Sequence, residues 1–368
     1  MFEIIFLIFV SLYFIQIIIF IIGLQKKFSQ LDDTDLPSAS VIVAAKNEEE
    51  NILRCLQSLS ELEYPENKLE IIIVNDHSDD KTQEIIDSFI IDRKSFKCIV
   101  PEKEIGHLKG KANAIANGIL ASKNEIILTT DADCAVSKTW AKTIASYFQP
   151  DVAIVNGFTN QLERNLFEAM QSKDFIYLLS VASGTINLGK PLSCIGNNMS
   201  YRRSVYEEIG GYEKIPFSVT EDFKLLMAVH DLKKYKIIYP LDKNALVTSI
   251  PCGDYKTLYQ QKKRWGIGGL DSDLIGFGVM ASGFGAHLGM LLLPLFFNQA
   301  TLSLALFKVI ADYFFLKFAH DKLELKLRFS HFLVFEIYFI IYVILLPFFV
   351  LFNQNVKWKG REFKRKSK

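Results

Sequence analysis

The sequence predicts an α/β domain on a mostly parallel sheet, carried between membrane-spanning helices at its two ends. Three observations predict it. Apolar residues crowd the first 24 positions and the stretch from Leu274 onward. Between them, short β-rich runs alternate with segments of helical spacing, the pattern of a sheet covered by helices on both faces. Acidic residues stand at the ends of those runs, where open α/β sheets bind ligands.

Composition sets the bounds. A chain of 368 residues can hold one large domain or two ordinary ones. Half of it is hydrophobic, and the excess lies at the ends. The formal net charge of +1 gives no basic field for nucleic acid. The five cysteines are odd in number, widely spaced and without a CxxC pair. They read as small buried residues in a reducing compartment, not as a disulfide framework or a zinc site.

Taken in order, Ile4–Leu24 is apolar and long enough to span a bilayer. No basic residue precedes it and no Ala-x-Ala site comes after it, so it reads as an uncleaved anchor (residues 1–27) and not as a leader. Lys26 and Lys27 place the adjoining domain in the cytoplasm, at a bacterial inner membrane. The acidic stretch Leu31–Asp35 reads as a hinge. The α/β domain is expected over 36–270. Its runs are Ser40–Ala45, Leu69–Val74 and Glu125–Thr130 as strands, with Glu48–Ser60, Thr82–Phe89 and Lys111–Ala121 as helices. The C-terminal region, 274–353, offers Ile275–Phe297 and Phe332–Phe352 as spans. Leu302–Phe318 carries Lys308 and Asp312, costly at mid-bilayer. It is expected to lie buried against the other two or re-entrant, with Lys308 and Asp312 as a local ion pair. Two C-terminal spans, not three, keep the basic tail (354–368) inside.

Five segments can carry chemistry, and each has a plainer reading. Asp131-Ala132-Asp133 ends a strand, and two carboxylates there can face Mg²⁺ or Mn²⁺ beside a diphosphate; a solvated turn is the alternative. Asp76 also ends a strand and can accept from a ribose or base, while Ser78 or Asp79 caps the next helix. Lys111 opens a helix and can meet a phosphate, or be a surface lysine. Thr220-Glu221-Asp222 begins a helix, with Thr220 as N-cap. Asp222 there is either a general base or a complement to the helix dipole. Gln261, Arg264 and Trp265 precede the membrane, where basic-aromatic segments often lie at the interface. The sharper reading puts Arg264 on a diphosphate and Trp265 in a sugar or acceptor wall.

In this order, the segments resemble the family 2 glycosyltransferases, which have a GT-A fold. The resemblance rests on Val41–Glu49, Val74–Thr82, Lys109–Ala114, Asp131-Ala132-Asp133, Gly196–Arg203, Thr220-Glu221-Asp222 and Gln261–Trp265, with Trp358–Arg361 like the tail of membrane members. It implies a nucleotide-sugar donor, foremost a UDP-sugar, contacted by Glu48, Asp76, Lys111 and Asp131. It implies that Asp133, with Asp131, holds Mg²⁺ or Mn²⁺, and that Glu221 and Asp222 belong to the catalytic TED element, with Asp222 the base of an inverting displacement. Gln261, Arg264 and Trp265 would form the QxxRW element. The acceptor would be a lipid, a lipid-linked intermediate or a glycan at the cytoplasmic membrane face. A processive polysaccharide synthase and a catalytically inactive GT-A scaffold are the alternatives. Ala44, Lys46 and His77 depart from the family pattern, at positions where Pro, Tyr and a small turn residue are common.

Overall fold

The computed structural model describes residues 1–216, 218, 220–352, 355–358 and 361–364. In chain order the strands are β1 (Ala39–Ala45), β2 (Leu69–Asn75), β3 (Phe96–Ile99), β4 (Ile126–Asp131), β5 (Ala135–Val136), β6 (Val152–Asn156), β7 (Thr159–Gln161), β8 (Met199–Arg202), β9 (Lys236–Ile238) and β10 (Val247–Ser249). The helices are α1 (Phe2–Leu24), α2 (Ile52–Ser60), α3 (Thr82–Ile90), α4 (Gly110–Ala121), α5 (Trp140–Ser146), α6 (Leu166–Asn187), α7 (Arg203–Glu208), α8 (Gly211–Lys214), α9 (Glu221–Asp231), α10 (Tyr255–Gly269), α11 (Leu274–Leu292), α12 (Gln299–Lys322) and α13 (Phe329–Phe352).

Seven strands form the central sheet in the order β3-β2-β1-β4-β8-β6-β9. The first four are parallel, as alternating strands and helices require, whereas β8 runs antiparallel to both neighbours. Strand residues alternate between two cores. Val41, Val43, Ile71, Ile73 and Leu128 face a cluster with α2 and α5, while Ile42, Ile72, Val74 and Ile127 face the other way. That second core does not stop at the sheet. It runs through α6 into Tyr13, Ile17 and Phe20 of α1, Phe315 of α12 and Phe335 of α13. The central sheet and the apolar helices at the chain's two ends therefore share one apolar interior.

α6 is the joint. Nearly all of its length is buried, polar residues included. α1 crosses it at a pair of glycines. A Cβ on Gly184 would lie 2.6 Å from the Phe20 carbonyl, and one on Gly23 would overlap the Gly184 backbone. Only side chains of this size let the two helices touch. The expected hinge is also tied down, contrary to the sequence reading. Leu31 N–H donates to Ser146 O (2.7 Å), Lys142 pairs with Asp33, and Lys26 Nζ donates to Asn187 O (2.7 Å). Solvated charges in a short polar stretch suggest mobility, but here the Leu31 backbone and the Asp33 carboxylate find partners on the domain.

Three helices are long and apolar enough to cross a membrane: Phe2–Leu24, Leu274–Leu295 and Phe329–Phe352. α12 is one uninterrupted 24-residue helix between the last two, not a re-entrant loop. Its Lys308 and Asp312 do pair (2.7 Å), but Glu336 of α13 joins Lys308 as well. Positions 354, 359, 360 and 365–368 of the basic tail lie outside the described residues; Asn355–Trp358 and Arg361–Lys364 form a small antiparallel pair. Cys55 and Cys134 are buried, and Cys98, Cys194 and Cys252 are half-buried, all as free thiols.

Candidate active site

Strand register assembles the site. Ala45 of β1 lies opposite Asn75 of β2, and Ala44 opposite Asp131 of β4. The turns after these three strands therefore open side by side, with the outer two roughly 10 Å apart across β1. Asn47 and His77 each turn through the left-handed region (φ 53° and 54°), which Asn and His enter more readily than most residues. The two turns interlock. Asn47 N–H donates to Ser78 Oγ (2.9 Å), Asp79 N–H to Asn47 Oδ1 (2.8 Å), and Glu48 N–H to Thr82 Oγ1 (2.8 Å).

Two of the departures from the family pattern acquire a physical reason here. Lys46 Nζ donates to the carbonyls of Asp76 (3.0 Å) and His77 (2.8 Å), tying the second turn to the first. His77 Nε2 contacts Pro101 O (2.9 Å). Asp76 is buried beside this tie, and its N–H donates to Ala45 O (2.8 Å). Helix capping falls to neither Ser78 nor Asp79. Asp80 Oδ1 accepts from Thr82 N–H (3.0 Å), because Ser78 is already engaged by Asn75 Oδ1 and Asn47 N–H.

Asp131 ends β4 half-exposed and forms an ion pair with Lys111, which projects from the first turn of α4. Asp133 lies two residues on. Its carbonyl accepts from Arg54 Nη2 (2.8 Å), which also donates to Thr248 O (2.8 Å), so α2 clamps the Asp131–Asp133 turn. Burial first, then the carboxylates of Asp131 and Glu48, push the Asp133 carboxyl up to about 6, against the Cys134 thiol that donates to it (3.2 Å) and against Lys111. Among the described residues no cluster of three His, Cys, Asp or Glu side chains gathers. The donor set nevertheless fits Mg²⁺ or Mn²⁺, because Asp131 and Asp133 offer hard carboxylate oxygens, and such a cation commonly takes one or two of these beside phosphate oxygens.

α9 begins on the opposite wall. Thr220 holds the N-cap position, but its hydroxyl contacts Ser218 Oγ (3.1 Å) and makes no capping bond, which corrects the expectation. Asp222 Oδ1 accepts from Phe223 N–H (2.8 Å). A Cβ on Gly196 would stand 3.2 Å from Asp222 Oδ2, so the segment before β8 passes close over this carboxylate. α10 closes the wall, since a Cβ on Gly268 would meet Thr220 at 2.7 Å.

The electrostatics show which groups share this space. Burial raises the Asp222 carboxyl, while Lys111 and Arg264 pull it down and Asp131 pushes it up. Burial and Asp222 raise Glu221 against the same two cations. Burial pulls Lys111 down, but Asp131, Glu221 and Asp222 outweigh it and leave its ammonium above the usual lysine range. Asp131, Glu221, Asp222, Lys111 and Arg264 thus act on one another, and Asp133 and Glu48 join them through Asp131. Acids outnumber bases there, and an added diphosphate would increase the excess, which is the setting a divalent cation relieves.

Trp265 behaves otherwise than the sequence suggests. Its ring stacks on Phe175 of α6 (centroids 5.7 Å apart), with Lys262 Nζ 4.3 Å from its centroid. At least part of the ring is therefore used to pack α10 onto α6, not to line a sugar. Gln261 is half-buried on the same stretch. Three residues of this site carry no distinguishing local signal. Arg54 sits in an apolar helix pattern, Cys134 reads as filler, and Gly196 shows its purpose only where Asp222 meets it.

Comparison with known proteins gives the same outline. The family model described as "Glycosyl transferase family 2" matches residues 40–210, and that described as "Glycosyl transferase family group 2" matches residues 126–353. The beta-monoglucosyldiacylglycerol synthase of Synechocystis is 26% identical over 245 residues, covering 63% of this chain and 48% of that protein. The poly-beta-1,6-N-acetyl-D-glucosamine synthase of Staphylococcus epidermidis is 27% identical over 274 residues, covering 71% and 63%. The chain thus spans less than two thirds of either relative. Among solved structures, the mannosyltransferase PcManGT from Pyrobaculum calidifontis, in complex with GDP-Man and Mn²⁺, overlays with a TM-score of 0.61 at 18% identity, over 95% of this chain and 99% of that one. That likeness is one of fold.

Proposed function

This chain belongs to the family 2 glycosyltransferases, and we propose that it transfers a hexosyl group from a nucleotide sugar, foremost a UDP-sugar, to a lipid-borne acceptor at the cytoplasmic face of a membrane, inverting the anomeric centre. The observation that carries the reading is the meeting of Asp222, Lys111 and Arg264 opposite the Asp131–Asp133 turn.

In this reading Glu48 and Asp76 hold the nucleoside at the interlocked turns. Lys111 and Arg264 orient the diphosphate, Arg264 through its planar fork. Asp222 accepts the proton of the acceptor hydroxyl as that oxygen bonds to the anomeric carbon and the sugar–phosphate bond breaks on the opposite side. Its raised carboxyl suits the task, since a base is most effective with a pKa nearer the working pH. Asp133 and Asp131 would hold Mg²⁺ or Mn²⁺, which when bound would supply positive charge to the leaving nucleoside diphosphate.

A lipid acceptor is favoured because α10, which carries Arg264 to the cleft, packs through Trp265 on α6, and α6 packs on the membrane helices. Holding an acceptor in the bilayer beside the base removes much of the cost of bringing the two together. A processive synthase is the second reading, kept by the polysaccharide-forming name of one relative; product length separates the two. The test uses the full chain in mild detergent, nucleotide sugars with Mn²⁺ or Mg²⁺, and added membrane lipids, with nucleoside diphosphate release as readout. Release from one donor, abolished by EDTA and by Asp133→Ala, is expected. No release and no nucleotide binding from any donor sinks the transferase reading in favour of a scaffold.

A further inference from the structure

The turn after β4 is fixed in its backbone, and its two acids are held differently. Arg54 Nη2 of α2 donates to Asp133 O (2.8 Å) and Cys55 Sγ to Asp131 O (3.6 Å), while Cys134 N–H closes the turn on Asp131 O (3.0 Å). The Asp131 carboxylate meets an ammonium, that of Lys111. The Asp133 carboxylate meets a neutral group, the Cys134 thiol, which donates to Oδ1 (3.2 Å). Its other oxygen, Oδ2, accepts no hydrogen bond among the described residues and is not closed off from solvent.

The thiol is itself aimed. Cys134 is buried, and Asn197 Nδ2 donates to its sulfur (3.7 Å). Asn197 Oδ1 in turn accepts from Thr159 Oγ1 (2.8 Å), and both of these residues are buried too. A thiol has one proton to give, and a sulfur that accepts from Asn197 gives it to Asp133. Buried chains in which every member is bonded hold their donors in one direction. The rest of this segment is also fixed. Asn198 Oδ1 accepts from Trp140 Nε1 (2.9 Å), and its Nδ2 donates to Phe158 O (2.8 Å) and Ala245 O (3.0 Å). Neighbouring residues thus serve two acids. Gly196 packs on the Asp222 carboxylate, and Asn197 reaches Asp133 through Cys134. This gives the Gly196–Arg203 segment a purpose that the roles assigned above leave open.

Resting on the reading of Asp131 and Asp133 as cation ligands, we propose that Cys134 is a positioning residue for the cation. Its thiol, aimed by Asn197 and Thr159, holds Asp133 by Oδ1 and leaves Oδ2 for Mg²⁺ or Mn²⁺. Carboxylates that ligate metals are held by hydrogen bonds of this kind, whose loss typically costs about 10–100-fold in affinity. A thiol suits the place because it fixes the carboxylate without neutralising it. A lysine there would hold the acid and oppose the charge of the cation.

The experiment measures Mn²⁺ binding to the full chain in mild detergent, without nucleotide, by electron paramagnetic resonance. Asp133→Ala is the control for the site and should abolish the binding. Cys134→Ala should weaken it about 10–100-fold. Cys134→Ser keeps a donor and should lie closer to the parent than to Cys134→Ala. The unfolding midpoint of the EDTA-treated variants separates a role in the fold from a role at the cation. A thiol that only fills space lowers the midpoint and leaves Mn²⁺ affinity as it was, which overturns the proposal. A Cys134→Ser as weak as Cys134→Ala overturns it too, since the donor would then not matter. In the parent itself, the infrared S–H band that Cys134→Ser removes should shift when Mn²⁺ binds, because the cation draws charge from the accepting carboxylate. A band indifferent to bound Mn²⁺ overturns the proposal even if Cys134→Ala fails to fold. Full binding by Cys134→Ala, beside loss in Asp133→Ala, removes this assignment alone and leaves the transferase reading standing. No binding by the parent, or full binding by Asp133→Ala, removes the cation site and this assignment with it.

Discussion

One set of charge lies between the membrane helices and another in the cleft, and the two are built differently. Between the membrane helices, Lys308 sits between Asp312 and Glu336, all three closed off from solvent. Tyr13 Oη donates to Asp312 Oδ1 (2.7 Å) and contacts Tyr177 Oη (2.6 Å), so α1, α6, α12 and α13 meet at one ionic knot. In the cleft, Asp131, Glu221 and Asp222 share Lys111 and Arg264 in half-open space, with Asp133 and Glu48 adding further negative charge. The knot satisfies a lysine within the protein. The cleft keeps an excess of acid over base among these groups. A buried ion pair is weak evidence for stability but a firm constraint on which partner fits where; an uncompensated cluster in a cleft points to chemistry.

If that contrast is right, substitutions in the two places fail in different ways. The largest effect is expected for Asp222→Asn, which should lower turnover by about 10²–10⁴-fold, the worth of a general base, without lowering the thermal unfolding midpoint in detergent. A loss under tenfold would move the base elsewhere. Lys308→Met should do the opposite. It strands Asp312 and Glu336 and should cost about 3–5 kcal/mol of stability, measured as a lower unfolding midpoint. The triple change Lys308→Met, Asp312→Leu, Glu336→Leu should recover most of it, since well-packed apolar replacements of buried ion pairs are often neutral. A single Lys308→Met as stable as the parent would remove the knot from the comparison.

The remaining effects are smaller. Asp133 must be ionised to hold a cation, and its carboxyl titrates near 6. Metal affinity should therefore fall about tenfold per pH unit below 6 and level off above it, as titration calorimetry can read. The sign for the metal-free fold is the reverse. A carboxyl raised above its unfolded value of about 3.9 favours the fold below that value and loses this contribution as pH rises through 6. EDTA-treated protein should thus show from this group a penalty near neutrality that added Mn²⁺ lifts. The mildest change is Gly184→Ala at the crossing of α1 and α6. Overpacking there should cost about 1–3 kcal/mol, seen as earlier unfolding of α1 by hydrogen exchange while the Asp222 chemistry is unaffected.

The strands and their acidic ends were legible because a parallel sheet writes itself as continuous apolar runs, each ending in the residues that bind. The sequence boundaries differ from the observed ones by a residue at one end of β1 and β2 and by a residue at each end of β4. Capping was less legible, since Ser78, Asp79 and Asp80 are chemically equivalent until Asn75 and Asn47 engage the first two. α6 gave almost no signal because burial on all sides leaves no polar stripe to set its period. The hinge at Leu31–Asp35 was misread for the opposite reason: the Leu31 N–H and the Asp33 carboxylate had partners more than 100 residues away.

What the sequence alone determined is the local content: strand runs, the carboxylates at their ends, apolar segments long enough to span a bilayer, and the Lys308–Asp312 spacing. Periodicity states that a face is apolar, but not what that face will meet. Only the tertiary structure decided that Glu336 completes the lysine's partners, that Lys111 bonds Asp131, that one core joins the sheet to the membrane helices, and that α10 packs through Trp265 on α6 and through Gly266 on α13. Each of these depends on packing between segments remote in the chain, where shape and charge select one pairing from many that the sequence allows.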